Sequence, residues 1–390
     1  MMVAVPTTAP DVSGSRQVPG VGRPEGRFLL IEATATPART PLGQAVIDCD
    51  IHNAVPGVQA LFPYLSEHWR EYITQSAFKG PTDSDYPKGA PIAARTDAIP
   101  PDGGPPGSDL ATLRQQVLDP WGIEIGIISC AYAVESIHNP DAAAAMASAV
   151  NDWLVAEWLD REPRLRASLV IPSQQPEMAA KEIDRLGQHP GFVQVSLPVR
   201  SPMLYGNRHY HPLFEAAARH DLVVGIHFGG SPGNPPSGSG WHSYYLEEYV
   251  GMAQVFQSQV LNLIVEGVFD RFPTLRVALI ESGFTWLPAL LWRMDKEWKG
   301  LGREVPWNKS LPSDYVRKHI RLTTQPLDLP LDAAAIGEVL AQFGSDDLLM
   351  FATDYPHRHF DRIEEALPDG LPAELRRKIL ADNARSFYRF

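Results

Sequence analysis

Short apolar runs alternate with helical patterns along residues 45–390. Eight of these runs are rich in Val, Ile and Leu: 45–52, 123–130, 164–171, 192–197, 222–228, 276–282, 320–325 and 348–353. They are largely uninterrupted, as in parallel strands buried on both faces. The segments between them carry helical spacing. Asp141, following Pro140, can cap a run that brings Met146, Val150, Trp153, Leu154 and Trp158 near i, i+3/i+4 positions. Residues 212–219 and 373–388 behave similarly. Eight strands alternating with helices predict an α/β fold, and the count favours a (β/α)₈ TIM barrel over a doubly wound sheet.

The 30 Gly and 36 Pro interrupt this pattern in three places. Residues 1–44 have no sustained apolar period and read as a flexible N-terminal extension, leaving 45–390 as the barrel domain. Residues 80–107 are too Pro-rich for a regular element, so 53–110 reads as a long insertion after strand one, expected to act as a lid. The third stretch, 229–240, contains G-x-S-x-G at 229–233, but Pro232, Pro235 and Pro236 forbid the helix that a nucleophile elbow requires.

Charge and cysteine content narrow the class. With 34 Lys+Arg against 46 Asp+Glu, the net charge of −12 argues against nucleic acid or an anionic membrane as partner. Two cysteines, Cys49 and Cys130, make no disulfide framework and suit a reducing compartment. No apolar run is long enough for a membrane span, and a cytoplasmic enzyme acting on a small molecule is expected. Cys49, alternating with Asp50, is expected to face the helix layer.

The active face of such a barrel is formed by the C-terminal strand ends. Asp50 and His52 end strand one at i and i+2, His227 ends strand five, Glu281 strand six and Asp354 strand eight. One His or Asp at a strand end is more often a cap, but His and Asp at corresponding ends of strands one, five and eight suit one divalent ion with mixed N/O ligands.

The residues IDCDIHN (47–53), PLFEAAARHDLVVGIHFGG (212–230), GVFDRFPTLRVALIESGFTWLPALLWRMD (267–295), FATDYPH (351–357) and DNARSFY (382–388) resemble the amidohydrolase superfamily. The branch resembled is amidohydrolase 2, which includes aminocarboxymuconate-semialdehyde and resorcylate-type decarboxylases together with hydrolases and hydratases. The resemblance implies Asp50, His52, His227 and Asp354 as metal ligands, with Asp354 also the proton acceptor, and it implies a homodimer. The family's decarboxylases carry a catalytic His at the end of strand six, where this chain has Glu281.

That departure favours a metal-dependent hydrolase. A metal-activated water would attack an amide, lactone or ester carbon, with Asp354 taking its proton and Glu281 protonating the leaving group. The alternative is a non-oxidative decarboxylase or hydratase, a lyase acting on a small carboxylic acid at the same site. Zinc is the first expectation for the ion and manganese the second. Trp241, His242, Tyr245, His357 and Arg358 are the expected substrate-side residues, Arg358 as an anion partner and His357 as a support for the strand-eight loop.

Overall fold

The computed structural model describes residues 43–81, 94–230, 233–328, 335–357, 359 and 363–390. The expected flexible extension therefore falls almost wholly outside the described residues. Strands β1 (Val46–His52), β2 (Ile123–Ser129), β3 (Leu165–Val170), β4 (Phe192–Pro198), β5 (Val223–His227), β6 (Val277–Ile280), β7 (Ile320–Thr323) and β8 (Leu349–Met350) pair in parallel, in chain order. The seam between the last strand and the first is closed by backbone hydrogen bonds. Cys49 N donates to Phe351 O at 2.9 Å and Asp354 N to Asp50 O at 3.0 Å, with a parallel bridge between Ile51 and Tyr355. The eight parallel strands with helices between them form the (β/α)₈ barrel that the apolar pattern predicts.

The apolar windows locate all eight strands: β1 ends with its window, β4 runs one residue beyond it, and the other six windows overrun at their C-terminal ends. At β6 the reason is local: Glu281, just past the strand, has φ of 55° and leaves the extended conformation, and Asp354, four residues past β8, has the same φ. Left-handed backbone costs an L-residue about 1–2 kcal/mol. Its concentration at two carboxylates of the barrel mouth marks the site as a place where sheet geometry yields to side-chain placement.

Two apolar layers hold the barrel. One lies between sheet and helices. The other is internal: Ile47, Cys49, Ile125, Ile127, Val223, Ala278, Ile280 and Met350 pack onto Ala381, Ala384, Phe387 and Tyr388. The last four come from the terminal helical run Lys378–Asp382 and Asn383–Tyr388, which closes the barrel floor. Tyr388 Oη reaches Gln194 Oε1 at 2.8 Å inside the barrel, giving this hydroxyl a partner where water is excluded.

Cys49 corrects an expectation. It lies in the internal layer and not against the helices. Between Asp48 and Ile51 the register of β1 on β2 gains one residue, pairing Asp48 with Gly126 and Ile51 with Ile128. Such a bulge reverses the alternation locally. Cys49 can then face inward while Asp50 and His52 still reach the mouth. A second correction concerns the helix Pro140–Leu154. Its N-cap is Asn139, whose side chain accepts from Asp141 N and Ala142 N at 3.1 Å, with Pro140 in the first turn where its missing N–H costs nothing.

The insertion after β1 returns across the mouth. Gly107, at φ +80°, passes so close that a Cβ would stand 2.7 Å from the His52 carbonyl oxygen. Arg95 N donates to Pro356 O at 2.8 Å, and Ala94 bridges His357 in antiparallel fashion. Insertion backbone thereby braces the loop after β8.

Phe387 tests the barrel floor. Its ring is buried in the internal layer and lies under the Arg321 guanidinium, 5.1 Å from centroid to Cζ. Phe387→Ala is expected to lower unfolding free energy by about 3–5 kcal/mol, read as a reduced urea midpoint at constant slope.

Candidate metal centre

The strand order brings the mouth residues together. Asp50 and His52 end β1, His227 ends β5, Glu281 follows β6, and Asp354 and His357 follow β8. His52 Nε2 stands 3.7 Å from Asp50 Oδ2 and 2.9 Å from Asp354 Oδ1. His227 Nε2 lies 3.5 Å from Asp50 Oδ2, and His227 Nδ1 lies 3.6 Å from Glu281 Oε2. His357 Nδ1 is 2.9 Å from Asp354 Oδ1 and 3.1 Å from Glu281 Oε1. His359 Nε2 also contacts Asp354 Oδ2.

These atoms form two overlapping donor groups, Asp50–His52–His227 and His52–Glu281–Asp354–His357, each within 4.8 Å. His52 offers one atom to both, so they are two sides of one site. Both carboxylate oxygens of Asp50 and Nε2 of His227 are buried without a hydrogen-bond partner, and Nε2 of His52 has only the Asp354 carboxylate beside it at 2.9 Å and that of Asp50 at 3.7 Å among the described residues. An orphaned buried carboxylate is costly. His227 Nδ1 lies 2.8 Å from Phe228 O, a contact that assigns the proton to Nδ1 and leaves the Nε2 lone pair facing Asp50. Unpaired O and N donors converging in this way fit a divalent cation, and no thiolate is among them.

The electrostatics divide the three carboxyls. Burial alone would raise Asp50, but the charges of His52 and His227 outweigh it and hold its carboxyl at about 2. Asp354 is likewise buried, and His357, His359 and His52 keep it well below the usual carboxylate range. Glu281 moves the other way, raised by burial and then by the charge of Asp354. Two carboxyls at the mouth are thus pushed toward the anion and the third toward its acid form. Against the cost of burial, Asp354 pulls His357 up to about 10, and Asp50 raises both His52 and His227.

The backbone behind the site is fixed by Asp48. Its fully buried carboxylate accepts from Thr353 N at 3.0 Å, Thr353 Oγ1 at 2.6 Å and Asp50 N at 3.2 Å, tying β1 to the β8 end. Asp48, His359 and Tyr249 are the residues here that sequence reasoning missed. The D-x-D-x-H spacing of β1 and the H-x-H of 357–359 were visible signals; Tyr249 had none, because its ring arrives from the helix Tyr245–Val265.

Tyr249 packs on Phe228 at 5.3 Å between ring centroids and feels the charges of Glu281 and Asp354. With Glu281, Trp286 and Asp328 it lines a cavity of about 550 Å³ opening off the mouth. Of the expected substrate-side residues, His357 stands in the donor cluster itself. Tyr245 makes a ring contact with Tyr249, at 5.8 Å. His242 packs over Gly251, and Trp241 is half exposed; neither joins the cluster. Arg358 lies outside the described residues.

An amidohydrolase family model matches residues 47–390. The chain belongs to the amidohydrolase family. A gamma-resorcylate decarboxylase of Polaromonas sp. strain JS666 is 28% identical over 296 residues, covering 72% of this chain and 88% of that protein. The 2,6-dihydroxybenzoate decarboxylase from Rhizobium superposes with a TM-score of 0.63 at 23% identity, over 89% of this chain and 99% of that one. A 5-carboxyvanillate decarboxylase from Novosphingobium aromaticivorans, solved with manganese and 4-hydroxy-3-methoxy-5-nitrobenzoic acid, superposes at 0.65 with 20% identity, over 90% and 97%.

These findings overturn the expectation of hydrolysis. This amidohydrolase has decarboxylases as its relatives, and they match the lyase alternative. A divalent metal site stands; zinc as the first expectation does not, since the neighbours described with an ion carry manganese. No helix among the described residues is long and apolar enough to cross a membrane.

Ion binding to this amidohydrolase must be proton-linked. The pKa of His52, raised well above its ordinary value, leaves it protonated at neutral pH in the ion-free protein, whereas a ligating nitrogen must be unprotonated. Affinity for Mn²⁺ is therefore expected to rise with pH, by about tenfold per unit for each proton expelled. Calorimetry in two buffers of different ionisation enthalpy measures that proton count.

Proposed function

We propose that this enzyme is a metal-dependent, non-oxidative decarboxylase of a small aromatic hydroxy acid, with Mn²⁺ as its ion. The observation that carries the reading is the split among the mouth carboxyls: two are held ionised beside unpaired imidazole nitrogens, and the third, Glu281, is pushed toward its protonated form. Replacing a carboxylate on carbon by hydrogen needs a cation for the acid and a proton for the carbon, and this arrangement offers both. The named activities of the relatives support the same class.

Asp50, His52, His227 and Asp354 would hold the ion, the two aspartates offsetting its charge. When bound, the ion supplies positive charge that fixes the substrate's carboxylate and an adjacent oxygen. Glu281 lines the adjoining cavity, and burial beside Asp354 pushes it toward its acid form, so it is placed to deliver a proton as the carbon–carboxyl bond breaks. His357, 3.1 Å from Glu281, supplies from the β8 loop the imidazole that the end of β6 lacks, and can return the proton. Phe228, backed by Tyr249, gives the ring an apolar wall and limits water. The part of the insertion near Ala94 and Gly107, crossing His52 and His357, acts as the cover. A homodimer belongs to the same reading. Leu246 and Val250, 72% and 69% exposed on one helix, give it an apolar face.

Incubation of the Mn²⁺-loaded enzyme with hydroxybenzoates should release carbon dioxide, and Glu281→Gln should cut kcat by about 10²–10⁴-fold while manganese content is retained. Asp354→Asn should lose the ion and the activity together. Turnover that survives complete metal removal would sink this reading.

A further inference from the structure

Half of the barrel mouth is not occupied by the donor cluster. Opposite Glu281, His227 forms one wall of a second pocket, enclosed by the loops after β2 to β5 and narrow, with about 40 Å³ of free space. That is room for a few water-sized groups. The loop after β2 contributes Tyr132 and Glu135 to it. Ala133 between them has φ of 45°, a left-handed turn, and Gln174 Nε2 fixes the next residues by donating to Val134 O at 3.1 Å and Ile137 O at 3.2 Å. The Tyr132 hydroxyl is buried without a partner. Burial pushes the Glu135 carboxyl up to about 7, since no cation compensates it. Neither Lys nor Arg lines this pocket among the described residues.

We infer that Glu135, with Tyr132 beside it, reads the end of the substrate remote from the ion, accepting a hydrogen bond from a hydroxyl and turning away a second carboxylate. This deepens the decarboxylase reading and rests on it for the placement of the first carboxylate at the ion. The chemistry follows from the wall. A carboxylate accepts from an O–H donor and gains about tenfold or more in affinity from a charge-assisted bond. The same carboxylate facing a second anion, in a site with little water, repels it. The substrate class is thus a hydroxylated aromatic monocarboxylate and not a dicarboxylate.

The test is calorimetric titration of the Mn²⁺-loaded full chain at about pH 8, where Glu135 is ionised. Benzoate, the three monohydroxybenzoates and the three benzenedicarboxylates are the probes. The wild-type protein should bind 3- or 4-hydroxybenzoate about tenfold more tightly than benzoate, and the dicarboxylates more weakly than benzoate. In Glu135→Ala the ratio of 3- or 4-hydroxybenzoate to benzoate affinity should collapse toward one, while 2-hydroxybenzoate, whose hydroxyl faces the ion, should be unaffected. In the near-isosteric Glu135→Gln, which controls for misfolding, the dicarboxylates should gain on benzoate. A preference for the 3- or 4-hydroxyl that persists in Glu135→Ala overturns the inference, as does dicarboxylate binding as tight as benzoate in the wild type, or no binding by either of these hydroxybenzoates. Absence of carbon dioxide release alongside the expected binding ratios would instead count against the decarboxylase reading alone.

Discussion

Closing the barrel sets β1 against the end of β8, and this one contact forces Asp50 and Asp354 together. Their backbones are hydrogen-bonded directly, Asp354 N to Asp50 O at 3.0 Å. Asp48 doubles the joint from behind by holding Thr353. Two carboxylates packed at a buried seam repel each other at low local dielectric. Everything else at the mouth answers that repulsion. Four imidazoles crowd in, one from β1, one from β5 and two from the β8 loop, yet Asp50 still keeps both oxygens without a hydrogen bond. A divalent cation resolves the imbalance in a way that no rearrangement of these side chains does.

The same constraint accounts for the strained backbone. For their carboxyls to reach the mouth, Glu281 turns into a left-handed conformation immediately after β6 and Asp354 does so four residues after β8. Such geometry persists only where the surroundings over-determine it. Here the surroundings are the Thr323 hydroxyl accepting from Glu281 N, the insertion backbone paired at His357, and the seam itself. Stability of the barrel floor and chemistry at its mouth are therefore assigned to opposite ends of the same strands, as parallel barrels require.

The fold was legible because parallel strands buried on both faces are written as uninterrupted Val, Ile and Leu, a local signal that survives without any tertiary information. The ligand positions were legible for a related reason: a polar residue closing an apolar run has few roles. What escaped was whatever depends on a one-residue irregularity or on a partner from elsewhere. The bulge after Asp48 sends Cys49 inward, and no periodicity announces a bulge. Tyr249 reaches the site from a helix whose Tyr245 looked equally eligible, and only the helix's placement over Phe228 separates them. His357 was read as a support for its loop because its entry into the donor cluster depends on where the loop after β8 lies against β6.

The choice of reaction shows the limit most sharply. Asp, His, His and Asp around one ion serve water activation and carboxylate binding equally, so ligand spacing cannot separate a hydrolase from a decarboxylase. The difference resides in where a proton can be stored. A hydrolase needs a base beside the water; a decarboxylase needs an acid beside carbon. Glu281, read alone, suited either. Placed beside ionised Asp354 and buried, it is pushed toward the acid form, and His357 stands within hydrogen-bond reach to recharge it. The substitution of glutamate for histidine at the end of β6 pointed toward hydrolysis only while the imidazole was sought on the same strand. In the proposed decarboxylase reading the β8 loop supplies it, and the acid–imidazole pair is restored through space.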